Sequence, residues 1–226
     1  MDHKHADVTK RDVEIVAPEA SLAGIFAVPK DPVGLVIFAH GTGSGRLSPR
    51  NQFVARELHG AKIATLLLDL LTPQEEAFDE RGGTLRFDVS MLADRLESAI
   101  DWSRAQADVR DLPIGLFGAS TGAAAALIAA AHRPDDVLAV VSRGGRPDLA
   151  GAALRIVRAP TLLIVGGNDS VVLQLNREAA RELTAPAELI VVPGATHLFA
   201  EPGALEQVAR AARDWFAQRL ASAARS

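Results

Sequence analysis

At 226 residues and 48% hydrophobic content, the chain has the size and apolar fraction of one globular domain with a sizeable core, and nothing in it calls for a second. A net charge of −4 and a pI near 5.9 exclude long-range attraction to nucleic acid or to an anionic membrane. The absence of cysteine removes disulfides, thiolate catalysis and cysteine-held metals, and the absence of tyrosine removes chemistry that needs a phenol.

The opening MDHKHADVTKRDVE is charged where a signal peptide needs an apolar run, and no stretch of 18 apolar residues occurs, so a cytoplasmic location is expected. Residues 1–11 read as a flexible tail, in which His3 and His5 could hold a metal only with further ligands. The domain is expected over residues 12–220, with a second tail over 221–226. Asp12 to Ala17 and Leu22 to Val28 alternate apolar and polar residues around a turn, the pattern of an antiparallel hairpin at a sheet edge. Gly34 to Ala39 is apolar throughout and reads as a buried central strand. It opens into the Gly-rich loop His40 to Arg46, after which Ser48 and Pro49 supply a cap and first turn for a helix to about His59.

Ile63 to Leu68 is the next strand, and Asp69 ends it. Leu70 to Gly83 reads as an irregular polar connection. Asp88 to Arg104 is helical, with Val89, Leu92, Leu96, Ala99 and Ser103 on one face. The stretch from Ile114 to Ala131 organises the rest. A short apolar strand meets an alanine-rich helix, and Gly118-x-Ser120-x-Gly122 stands at the corner, the pattern of a nucleophile elbow. Glycines two residues either side let strand and helix pass closely, and the helix N-terminus favours an anion formed beside the serine. Further strands follow at Val137 to Val141, Thr161 to Val165 and Leu189 to Val192, with helices at Val172 to Leu183 and Glu201 to Leu220.

Strands alternating with helices predict an α/β fold, a mostly parallel central sheet covered by helices on both faces. Ligands of such sheets bind beyond the carboxyl ends of the strands. Ser120, Asp169 and His197 each follow a different predicted strand, so the fold brings all three to one edge. A serine hydroxyl needs a base within reach and a group that fixes the tautomer of that base. His197 and Asp169 fill those roles in the chain order Ser, Asp, His, with Asp148 as the alternative acid. His40 reads as structural, and His59 and His132 as caps near helix ends. In the oxyanion hole, an N–H near Thr42 joins the N–H of Thr121.

Taken together, the GASTG elbow, the HGTGSGR loop, the GGND turn and the GATHLF loop resemble α/β-hydrolases of the dienelactone-hydrolase-like group, over roughly Asp12 to Leu220. That resemblance implies hydrolysis of a small-molecule ester or lactone without metal or organic cofactor, here a carboxylic ester or thioester through an acyl-enzyme on Ser120. The chain departs from dienelactone hydrolase itself, whose nucleophile is cysteine. Too few residues separate Val141 from Thr161 for a cap domain, so an open site is expected, where Arg46, Arg143 and Arg146 can hold a substrate anion. Two other classes stay open. A nucleotide-dependent oxidoreductase would use the Gly41 to Gly45 loop and Asp69, although the glycine spacing is not G-x-G-x-x-G. An inactive binding protein on the same fold would keep the architecture and usually lose one member of the catalytic set.

Overall fold

A computed structural model describes residues 7–41 and 44–223 of the chain. Its centre is one eight-stranded sheet: β1 (Val8–Ala17), β2 (Ala20–Pro29), β3 (Gly34–Ala39), β4 (Ile63–Leu68), β5 (Ile114–Ala119), β6 (Val137–Arg143), β7 (Thr161–Gly166) and β8 (Ala187–Val192). Strand order is β1-β2-β4-β3-β5-β6-β7-β8. The β1–β2 and β2–β4 pairs are antiparallel and all later pairs parallel. The carboxyl ends of β3 to β8 therefore share one edge.

The helices are α1 (Pro49–Gly60), α2 (Pro73–Glu80), α3 (Val89–Arg104), α4 (Thr121–His132), α5 (Ser170–Glu182) and α6 (Ala204–Ala223). They cover two faces. On one, α3 and α4 pack over Leu35, Ile37, Leu66, Leu116 and Val140. On the other, α1 and α6 pack over Val36, Phe38, Phe117, Val141 and Ile164. Consecutive strand residues thus feed opposite clusters, which is why β3, β4, β5 and β7 are buried at every position and apolar at every position but Thr65 and Thr161. Each large side chain so buried contributes roughly 1.5–3 kcal/mol. Helix α4 is buried from Thr121 to Ala131, as a helix apolar on every side must be.

Several element boundaries differ by a few residues from the sequence reading, and three segments differ more. The hairpin is longer, because β1 already pairs with β2 from Val8↔Pro29, so 8–11, expected as tail, are strand; residues 1–6, with His3 and His5, lie outside the described residues. At the other end α6 runs on to Ala223. The connection after β4 is not wholly irregular. It contains α2, which starts with a capping box in which the Thr72 hydroxyl accepts from the Glu75 N–H and the Glu75 carboxylate accepts from the Thr72 N–H, with Pro73 in the first turn. Its polar composition masked that signal. The buried Arg95 of α3 anchors the segment by donating to the Leu70 carbonyl at 2.6 Å and to both Glu75 oxygens at 2.8 and 2.6 Å. Those hydrogen bonds hold the Glu75 carboxyl down at about 2.

Candidate active site

Ser120 sits between β5 and α4 with φ 52 and ψ −124, a backbone region that side chains other than hydrogen rarely adopt. Close packing imposes it. A Cβ on Gly118 would overlap the Ala123 backbone, and one on Gly122 would lie 2.6 Å from the His40 carbonyl. Only with glycine at both positions can α4 rest directly on β3 and β5. The Ser120 carbonyl accepts from Ala123 N–H at 3.1 Å and Arg146 N–H at 3.0 Å, and its N–H donates to the Arg143 carbonyl at 3.4 Å. Its hydroxyl has no hydrogen-bond partner among the described residues.

Asp169 and His197 meet as a pair. The N–H on His197 Nδ1 and Asp169 Oδ2 are hydrogen-bonded at 2.8 Å, which leaves Nε2 with its lone pair. Asp169 also caps α5, accepting from the Val172 N–H at 3.4 Å. The loops that carry the two residues are stitched together: Gly167 N–H donates to Val192 O at 2.8 Å, Asn168 N–H to Ala195 O at 2.9 Å, and the Asn168 side chain to Gly194 O at 2.9 Å. Gly144, the residue after β6, has φ 51 and lies against His197. A Cβ there would stand 3.2 Å from the His197 carbonyl and 3.5 Å from its Cε1. The imidazole and the elbow therefore flank the same short segment, His197 against Gly144 and Ser120 bonded to Arg143.

Thr42, the expected oxyanion-hole residue, lies outside the described residues. Its neighbour Gly41 presses on the elbow so closely that a Cβ would come 2.6 Å from the Ser120 Cβ. Thr121 is the first residue of α4, and its N–H lacks an intrahelical acceptor. Gly41 and Thr121 border a cavity of about 380 Å³ that extends over Arg46, Leu71, Glu76 and Leu92.

The remaining candidates separate by their partners. Asp148 is held by the Arg146 guanidinium at 2.7 to 3.2 Å and makes no contact with His197, so the imidazole partner is Asp169. Arg46 donates its backbone N–H to Asp69 Oδ1 at 2.5 Å and its guanidinium pairs with Asp69 Oδ2. Asp69 is thereby committed to the loop and is not free to receive a ribose. His40 is a brace, accepting the Leu70 N–H at Nε2 (2.8 Å) with Nδ1 against Gly41 O (3.0 Å), and burial keeps its pKa low. His59 and His132 cap no carbonyl. They bond to side chains instead, to Thr65 Oγ1 and Glu97 Oε1, each at 2.8 Å.

Asn176 escaped the sequence reading. Fully buried, it donates to the Gly145 carbonyl at 2.9 Å and so supports the β6 loop from beneath. The signal was present, since Val172, Asn176 and Ala179 form one buried stripe of α5, and a polar residue in such a stripe needs a partner.

A strained serine at a strand–helix corner, an Asp–His pair at the neighbouring strand ends and a sheet of this order define an α/β hydrolase fold. Comparison with known proteins is more specific. Residues 64–221 match the Dienelactone hydrolase family, and the chain belongs to that family. It is 51% identical to a dienelactone hydrolase from Anabaena variabilis, whose crystal structure it matches with a TM-score of 0.91 over 94% of this chain and 99% of that one. A Mycobacterium tuberculosis protein whose provisional name is phosphoribosyl transferase is 56% identical over 217 residues, 95% of this chain and 48% of the relative. The chain thus spans about half the length of that relative. Est1E from Butyrivibrio proteoclasticus, solved with ferulic acid bound, is 18% identical with a TM-score of 0.79 over 92% of this chain and 99% of that one, a likeness of fold alone. Among the described residues no helix is long and apolar enough to cross a membrane.

Proposed function

We propose that this hydrolase is a serine enzyme that cleaves a carboxylic ester, thioester or lactone through an acyl-enzyme on Ser120. His197 Nε2 takes the proton as Ser120 Oγ attacks the acyl carbonyl, then returns it to the departing alcohol or thiol. Water, deprotonated by the same nitrogen, releases the acid. Asp169 holds the Nδ1 proton in place and stabilises the imidazolium. The Thr121 N–H receives the carbonyl oxygen as it becomes an oxyanion, joined in this reading by an N–H at Thr42.

The observation that carries the proposal is the 2.8 Å Asp169–His197 bond, seated against Gly144 beside a serine in a strained conformation. The transferase name of the Mycobacterium relative belongs to a chain about twice as long, and the Asp69–Arg46 pairing gives no support to a nucleotide site on the Gly-rich loop. A fluorophosphonate reacts only with an activated serine, so the wild-type protein is expected to label at Ser120 and to hydrolyse short acyl esters. Ser120→Ala should lose the label and several orders of magnitude of turnover while keeping its melting temperature. A variant that labels like wild type overturns the assignment.

A further inference from the structure

Four arginines stand near the carboxyl edge of the sheet, and two are already engaged, Arg46 by Asp69 and Arg146 by Asp148. Arg143 is different. Only 7% exposed, it is the last residue of β6, yet it has no side-chain hydrogen bond and no ion pair among the described residues, and its Nη1 is wholly buried without a partner. Val141, two residues earlier, packs in the α1/α6 cluster, so strand alternation sends the Arg143 side chain to that same face. A second cation is close enough for its charge to act on Arg143. Arg50, in the first turn of α1, likewise has no hydrogen bond or ion pair among the described residues, and its buried Nε has no partner there.

A buried charge without a counter-ion is ordinarily avoided. Burial, with the Arg50 charge adding to it, lowers Arg143 to about 10, so it still carries its proton at neutral pH. The positive end of α1 reinforces both guanidiniums. Two charges of one sign and a helix N-terminus, with no carboxylate paired to either guanidinium among the described residues, make a site suited to an anion, and it is adjacent to the chemistry because the Arg143 carbonyl accepts the Ser120 N–H.

We infer that Arg143 and Arg50 form an anion subsite beside the elbow, which takes a phosphate monoester carried by the substrate and selects phosphorylated esters over neutral ones. Charge decides the type of anion. A dianion neutralises both guanidiniums, whereas a carboxylate leaves one uncompensated, and each guanidinium can offer a phosphate two parallel N–H donors. The selective role rests on the serine-hydrolase reading; the binding site does not.

Binding is tested first, by calorimetry on Ser120→Ala protein with inorganic phosphate, methyl phosphate and acetate. The expected result is saturable phosphate and methyl phosphate binding, at least tenfold tighter than acetate, weakened at least tenfold by Arg143→Gln and at least fivefold by Arg50→Gln. Arg143→Lys, which keeps the charge and loses the fork, should fall between. If Arg143→Gln does not fold, Arg143→Lys and Arg50→Gln decide the matter. Phosphate binding that is absent, or unchanged in these variants, overturns the subsite, and acetate binding as tight as phosphate overturns its preference for a dianion. Substrate selection is tested in the wild-type protein with esters of equal length that differ only in a terminal phosphate on the acyl chain. The phosphorylated ester should have at least tenfold higher kcat/KM, with inorganic phosphate as competitor. Equal efficiencies overturn the role in selection and point to a site for free phosphate. Arg143-dependent phosphate binding in a chain that hydrolyses no ester supports the subsite and overturns the catalytic reading instead.

Discussion

Replacing Gly122 with alanine adds one methyl group at the point where α4 crosses the end of β3. That methyl would overlap the Ala39 carbonyl oxygen and stand 2.6 Å from the His40 carbonyl oxygen, where ordinary contact begins at 3.4 Å. Relief requires α4 to move off the strand by about 1 Å, because the obstructing atoms are backbone and cannot rotate away; overpacking of this kind costs roughly 1–3 kcal/mol. Alanine returns up to about 1 kcal/mol through its better helix propensity. The net loss is therefore about 0–2 kcal/mol, a fall of up to roughly 8 °C in melting temperature for a chain of this size. Activity should suffer far more. The same displacement carries Ser120 and the Thr121 N–H away from His197, and a misplacement of about 1 Å can lower a rate by roughly 10². Calorimetric melting and kcat/KM on a short acyl ester measure the two effects separately. A variant that melts several degrees lower yet keeps its activity within threefold of wild type would show that the helix-on-strand contact does not position the site.

The acid assignment makes a ranking. Asp169→Asn replaces the carboxylate that fixes His197, whose side chain is 42% exposed and has no other partner among the described residues, by an amide that can donate to Nδ1 and select the wrong tautomer, so kcat should fall by roughly 10³–10⁴. Asp148→Asn disturbs only the Arg146 pair and should cost no more than a few-fold; the reverse order in steady-state rates would make Asp148 the acid. Stability should also depend on pH through His59, which burial, with Lys10 and Arg56 nearby, lowers from 6.5 to about 4. Between those values the unfolded chain binds the proton and the native one does not, so stability present above pH 6.5 is lost as pH falls toward 4, by about 3 kcal/mol. Urea titrations of His59→Gln across that window should give a shallower loss, and an identical slope in both proteins would remove His59 as the cause.

What the residues alone determine here is the local chemistry of the backbone. Apolar runs such as Gly34 to Ala39 and Thr161 to Val165 can only be strands buried on both faces, and the Gly118-x-Ser120-x-Gly122 corner permits a crossing that any larger residue would block. The α/β architecture and the shared edge of Ser120, Asp169 and His197 follow from that alternation, because parallel strands put all their carboxyl ends on one side. Pairing is another matter. Arg46, Arg143 and Arg146 look alike along the chain, and Asp148 and Asp169 each stand after a strand, but side-chain partners depend on distances between segments that no local pattern encodes. The tertiary structure gives Asp148 to Arg146 and Asp69 to Arg46, joins Asp169 to His197, and leaves Arg143 buried under the influence of Arg50 with no carboxylate within bonding distance among the described residues. It likewise decides that Asn176 braces Gly145 from a helix 31 residues further along the chain. Burial and proximity across the sheet are properties of the packed chain, and they separate the arginine that holds a loop from the one that has its charge free for a ligand.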